Sequence, residues 1–392
     1  MVDLQNNKQN SRKIRTVLVQ RYFPHYRKAI FRALATHPKI DFLLLHGEQD
    51  GPAGLTNVRN DEVIRCWVEP TVSVGPSKLG LYAMPHMVKC AKTYDYDVMI
   101  LQTDFHCLTL WPAMMAIRKR GKRMSDFTIG FGQKPALVRD RIRIWLANTM
   151  DSNIFYSYQH RQRFIARGVP AEKIFVAPNA FDTAFIRSAE AKVTDSALDE
   201  FKTHHNLSEG NTIIHAGRMV DYKRLDLLLY AAAKLVSKRP KLKLILIGDG
   251  PMLEPWRQLA ENLHISEHVI WPGMIVDQNQ LCYWFHSSDI CVAPGQHGLL
   301  ANLTHTYGVP FITSDYEFLQ GPEIQVFTEN KTGLFYSYED IDDLVKKIEE
   351  LLDNPNRRAE MSQEARRVID EGFTLEKMCQ GFIDGICYAA EH

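Results

Sequence analysis

Three apolar runs in the second half of the chain each break off at a glycine-centred turn, and this repeat constrains the fold more tightly than any other feature. Thr212-Ile213-Ile214-His215-Ala216 leads into Gly217-Arg218-Met219-Val220-Asp221-Tyr222-Lys223, and Leu244-Ile245-Leu246-Ile247 into Gly248-Asp249-Gly250-Pro251. Asp289-Ile290-Cys291-Val292-Ala293 leads into Pro294-Gly295-Gln296-His297-Gly298-Leu299. Short apolar runs alternating with helical spacing predict β-α units and a parallel sheet. All three turns are then expected at one sheet edge, where open α/β sheets bind ligands. The first turn reads as an anion site for a diphosphate, since Arg218 offers a planar fork and Lys223 a compact point charge. Gly298 and Leu299 precede a helical pattern, so their amides are expected to point at a phosphate or sugar hydroxyl.

The first half alternates in the same way. Thr16–Val19, Phe42–Leu45, Val63–Trp67, Val98–Leu101, Phe127–Gly130 and Asn153–Tyr156 read as strands; Tyr26–Ala35 and Leu108–Arg118 read as helices. A chain of 392 residues exceeds what one core usually serves, so two domains are expected. Ser188–Glu209, rich in Ala, Asp, Glu and Lys, reads as a linker with one helix, which puts the boundary near residue 186. The expected domains are 12–186 and 187–372, with a terminal helix at 373–392 after the cap signals in Glu371-Gly372-Phe373-Thr374.

Charge divides the chain as well. Residues 1–185 hold 27 Lys and Arg against 15 Asp and Glu, and the remainder 20 against 31. The basic residues gather in Arg118–Arg123, in Lys134 with Arg139, Arg141 and Arg143, and in Arg161, Arg163 and Arg167, interleaved with Trp111, Met114, Met115, Ile142, Trp145 and Leu146. That pattern suits an anionic membrane surface or a polyprenyl diphosphate; the alternative is a solvated basic face. Seven scattered cysteines without C-x-x-C spacing predict reduced, structural thiols. The polar N-terminus and the lack of an apolar run long enough to span a bilayer predict a cytoplasmic protein.

The ordered series, a G-R-x-x-x-x-K turn, a G-D-G-P turn, a glycine-rich loop and then Gly308-Val309-Pro310, resembles the donor-binding half of GT-B glycosyltransferases of family four. Ala177-Pro178-Asn179-Ala180-Phe181-Asp182 is similar to that family's P-N-x-x-D hinge. The resemblance implies two Rossmann-like domains facing across a cleft and a C-terminal helix crossing back to the first. It implies a nucleotide diphosphate sugar as donor, a glycan or lipid-linked glycan as acceptor, retention of anomeric configuration and no metal. Arg218 and Lys223 would stabilise the leaving diphosphate. Gly217, Gly248, His297, Gly298, Leu299, Asn302 and Thr304 would line the donor site, and Gly273, Met274 and Ile275 would meet the nucleobase through their backbone. The family's loop carries two glutamates, which fall here on Gly295 and Leu303, so both carboxylates are missing. Glu323 reads either as a pocket acid or as a helix-start carboxylate.

On the acceptor side, Asp104 and His106 follow a strand, and one of them would take the acceptor proton; a structural Asp–His pair is the alternative. The family's loop histidine is replaced by Phe131, leaving Gln133 as the polar side chain there. Arg21, His25 and Arg27 would hold an acceptor phosphate. Asp95-Tyr96-Asp97 spells D-x-D but precedes a strand, and no His/Cys cluster has ligand spacing, so no metal or cofactor is expected. No nucleic-acid partner is expected. A non-catalytic subunit that binds nucleotide sugar or glycan remains the alternative function; a nicotinamide oxidoreductase lacks G-x-G-x-x-G after any strand.

Overall fold

The computed structural model describes residues 12–51, 57–132 and 136–392. Seven parallel strands form the first sheet, in the order Cys66–Glu69, Ile40–Gly47, Ile14–Gln20, Val98–Leu101, Arg123–Thr128, Ser152–Phe155 and Ile174–Val176. Six parallel strands form the second, in the order Val269–Gly273, Lys243–Ile247, Thr212–Ala216, Ile290–Ala293, Phe311–Ser314 and Gly333–Tyr336. Helices cover both faces, which is why the central strands are apolar on both sides rather than alternating. Two Rossmann-like units in GT-B arrangement result.

Some elements differ from expectation. The Val63–Trp67 run becomes strand only from Cys66, because the Asp61 carboxylate accepts from the amides of Val63 (3.0 Å) and Ile64 (3.1 Å) and holds them in a turn. The expected one-helix linker holds two: Thr183–Glu190, capped by Asp182, and Asp195–His204, capped by Thr194. Ile186 and Ala189 of the first of these pack into the second unit's core.

The chain crosses between the units twice. Helix Pro355–Gly372 stays with the second unit through Met361 and Ile369, whereas the following helix, Leu375–Glu391, returns to the first. Its Met378, Phe382, Ile383, Ile386 and Ala389 join Leu18, Phe127 and Ile154 in one core. The fit is close: a Cβ at Gly381 would lie 2.0 Å from the Val176 carbonyl oxygen, and the Ser152 hydroxyl donates to the Gly385 carbonyl at 2.8 Å. Among the described residues no helix is long and apolar enough to cross a membrane. The basic run Arg118–Arg123 is largely engaged within the chain. Arg120 donates to the carbonyls of Ala91 and Tyr94, Arg118 and Arg123 pair with Asp151, and Lys122 pairs with Asp95.

Candidate active site

Backbone hydrogen bonds lace the strand ends of the second sheet together. Gly217 N–H donates to the Ile247 carbonyl and Gly248 N–H to the Gly273 carbonyl, each at 2.9 Å. Gly248 has φ +144°, and a Cβ there would lie 1.8 Å from the Gly217 carbonyl oxygen, so the two turns meet only because that side chain is absent. Gly217, Gly248 and Gly273 therefore share one edge. Met274 stands exposed beside them, while the side chain of Ile275 packs into the core and leaves its backbone at the edge.

Lys223 closes a single 3-10 turn, Asp221–Lys223, before Arg224 takes the left-handed conformation (φ +51°) that starts helix Leu225–Leu235. This turn swings Lys223 inward to 9% exposure and sends Arg224 to Asp226 and Glu339. The Lys223 ammonium donates to the carbonyls of Gln296 (2.7 Å) and His297 (3.1 Å), and it lies 3.8 Å from where a Cβ of Gly298 would be. Burial, and then the nearby Arg218, lower its pKa to about 8, against the opposing pull of Glu323. Arg218 itself is exposed and donates to the Tyr222 hydroxyl at 3.2 Å. Two cations and the Gly298 turn thus converge, and Leu299 caps helix Leu300–Tyr307 without any side-chain hydrogen bond to its first amides.

Behind the turn lie two buried neutral histidines. His215 donates from Nδ1 to the Val292 carbonyl (2.9 Å), and burial with the neighbouring Lys223 pushes its pKa down to about 3. His297 donates from Nδ1 to the Gly298 carbonyl (3.0 Å), and burial lowers its pKa as well. The Nε2 atom of each is buried without a hydrogen-bond partner. His215 escaped the sequence reading; a histidine inside an apolar strand two residues before the Gly-Arg turn was the signal.

The missing glutamates have a structural reason. Gly295 donates to the Lys223 carbonyl, and a Cβ there would meet the Tyr222 carbonyl oxygen at 2.3 Å, so no carboxylate fits. Leu303 packs into the core. Thr304 is wholly buried on the same helix, and its hydroxyl has no hydrogen-bond partner. Asn302 is buried too, and its amide nitrogen donates to the Asn179 carbonyl (2.7 Å), which ties this helix to the Ala177–Asp182 segment.

Asn179 also donates from its side chain to Glu323 Oε1 at 2.6 Å. Glu323 sits in the first turn of Pro322–Val326, and Gln325 of the same turn donates to the Tyr156 carbonyl (2.9 Å) and accepts from the Tyr158 amide (3.1 Å). These bonds hold the segment after strand Phe311–Ser314 against the segment after Ser152–Phe155, so the C-terminal edges of the two sheets meet here.

On the first unit's edge, Asp104 accepts from the His106 amide and Nδ1 and from the Tyr82 hydroxyl, all at 2.9 Å. Burial pushes the Asp104 pKa up, but these donors outweigh it and leave the group below its ordinary value. An ionised Asp104 orients His106, whose ring is largely exposed. Arg21 lies 3.9 Å over the Tyr82 ring, Arg27 lies 4.9 Å over Tyr156 and 5.4 Å over Phe127, and His25 is exposed next to them. Gln133 lies outside the described residues. Asp126, not foreseen, pairs in register with Leu101 and accepts from the Thr103 amide at 2.9 Å; burial drives its pKa up to about 7. Asp95 and Asp97 lie at the opposite edge of this sheet, paired with Arg15. Among the described residues no three His, Cys, Asp or Glu side chains form a group able to hold a metal.

A family model described as Glycosyl transferases group 1 matches residues 198–368, the second unit. HepE of Anabaena, solved in complex with UDP, superposes with a TM-score of 0.70 over 94% of this chain and 98% of that one, at 17% identity. The chain has the GT-B fold, and its second unit matches the group 1 glycosyltransferase model. At that identity the structural likeness establishes the fold alone. In sequence, alpha-monoglucosyldiacylglycerol synthase of Streptococcus pneumoniae is 25% identical across 64% of this chain and 57% of its own length. A GDP-mannose-dependent phosphatidylinositol monomannoside mannosyltransferase of Mycobacterium tuberculosis is 25% identical across 54% and 55%. The matched stretch spans about half the length of these curated relatives.

Proposed function

We propose that this protein transfers a sugar from a nucleotide diphosphate donor to a glycan or lipid-linked acceptor, in the cytoplasm, with retention and without a metal. One observation carries the reading: the buried Lys223 ammonium, with Arg218 beside it, faces the Gly298 turn at the shared glycine edge. Fixed cations at that point offset the charge that develops on the leaving diphosphate, and their placement requires no reorganisation during the reaction. The backbone of Gly273–Ile275 meets the base, and Gly217, Gly248 and the Leu299 amide meet the phosphates and sugar. Across the contact between the units, Asp104 orients His106 toward the acceptor hydroxyl, with Arg21, His25 and Arg27 as partners for an acceptor phosphate. In a retaining reaction the departing phosphate itself receives the acceptor proton, so the absence of carboxylates at Gly295 and Leu303 does not prevent turnover.

The test is a panel of nucleotide sugars screened for protection against heating, followed by donor hydrolysis or glycan extension, with Lys223→Ala as control. Protection by one donor that Lys223→Ala abolishes supports the proposal. A second reading, a non-catalytic subunit that binds nucleotide sugar or glycan in a transferase complex, is favoured by Gly295 and Leu303. Donor binding without any turnover on a broad acceptor panel selects it.

A further inference from the structure

We propose that the helix pair Leu110–Lys119 and Leu137–Thr149 is the surface by which this protein seats on an anionic lipid bilayer. The inference rests on the lipid-linked branch of the proposed function. A soluble monomer rarely leaves large apolar side chains clustered in water. Here Leu137 is 84% exposed, Met115 66% and Trp145 57%, with Leu108, Trp111 and Val138 exposed around them. The Trp111 and Trp145 rings lie 6.2 Å apart, so the two helices present one continuous face. Tryptophan suits the headgroup level of a bilayer, apolar in body and polar at one edge.

Charge selects the occupant. Lys119, Arg139 and Arg141 are exposed around the apolar residues. The acids nearest them are already engaged: Asp140 by Arg143 and the Ala136 amide, and Asp151 by Arg118 and Arg123. The face is therefore apolar at its centre and cationic at its rim, which matches acyl chains beneath anionic headgroups. Position supports the same occupant. Leu108 follows His106 by two residues and Trp111 by five, so a lipid-borne acceptor anchored under this face presents its head beside the Asp104–His106 pair.

The experiment is co-sedimentation of the full chain with phosphatidylcholine vesicles and with vesicles that also contain phosphatidylglycerol. Binding is expected only to the second kind and weakens with added salt. Arg139→Gln with Arg141→Gln is expected to weaken it about thirtyfold, each charge contributing about fivefold. Leu137→Ser with Trp145→Ser, at exposed positions that leave the fold intact, is expected to abolish it. Lys241→Gln with Lys346→Gln on the second unit, and Lys223→Ala, retain full binding, so failure of the transferase reading is told apart from failure of this one. Equal binding to both vesicle types, or binding indifferent to the Leu137/Trp145 pair, overturns the proposal. So does self-association, seen by sedimentation velocity and lost in that variant, in a protein that ignores vesicles.

Discussion

Replacing Lys223 with methionine tests the anion site through its pH dependence. The ammonium is buried, and its pKa falls from 10.5 to about 8, a shift that corresponds to about 3 kcal/mol of folding free energy. The folded state disfavours the charged form, so the cost applies in full below pH about 8, where both states are protonated. It fades as pH rises toward the unfolded value and is gone above it. The stability of the native protein relative to Lys223→Met should therefore rise by about 3 kcal/mol between pH about 7 and pH about 10.5, as read from paired denaturant titrations. Nucleoside diphosphate binding must run the other way. A charge-assisted bond to a phosphate contributes about 2 kcal/mol, so Lys223→Met should bind the preferred diphosphate about thirtyfold more weakly at neutral pH. In the native protein, affinity should fall as pH rises through about 8, because the ammonium that the anion needs is lost; in the variant it should stay flat. Calorimetric titration across that range is the assay. Equal affinities for the two proteins, or an affinity indifferent to pH, would refute the placement of the leaving group at Lys223.

Four further outcomes follow from the packing. Gly295→Glu, which restores the family's first carboxylate, should lower stability by about 2 kcal/mol or more without raising turnover, because its Cβ meets the Tyr222 carbonyl oxygen; thermal melts and donor assays check both. Asn179→Ala removes the donor that satisfies buried Glu323 and should cost about 2 kcal/mol in chemical denaturation, with Glu323→Gln in the same background recovering part of it. Asp126→Asn should gain stability relative to the native chain as pH rises from about 4 to about 7: the folded pKa lies above the unfolded one, so ionisation penalises the native state across that window. Gly381→Leu should release the terminal helix from Val176, visible as faster amide exchange over Leu375–Glu391 and a lower melting temperature.

The central strands were legible because a parallel strand covered on both faces must be apolar throughout, so Val98–Leu101 and Leu244–Ile247 stand out against polar turns. Helices Pro85–Thr93, Leu137–Thr149 and Tyr158–Ile165 were not, since each mixes basic and apolar residues on its face. Strand Ile174–Val176 is too short to show a period. In the site, the Gly217-to-Lys223 spacing was readable because one local turn places both cations. The Asn179–Glu323 and Gln325–Tyr156 contacts join residues more than 140 positions apart, and local pattern carries no information about such pairs. The depth of Thr304 and Asn302 was unreadable for a related reason: polarity near a binding loop says nothing of burial, and the helix that carries them lies inside the core.

The return of Leu375–Glu391 to the first sheet bears on how the molecule is made. During synthesis the first sheet emerges early, yet Phe382 and Ile386, which cover Phe127 and Ile154, leave the ribosome only after the whole second sheet. Until then a greasy flank of that sheet stays open to solvent and to other nascent chains. Maturation of the first unit must therefore wait for that helix, and the second unit, whose own core takes nothing from beyond Phe373, is expected to fold first despite being translated second.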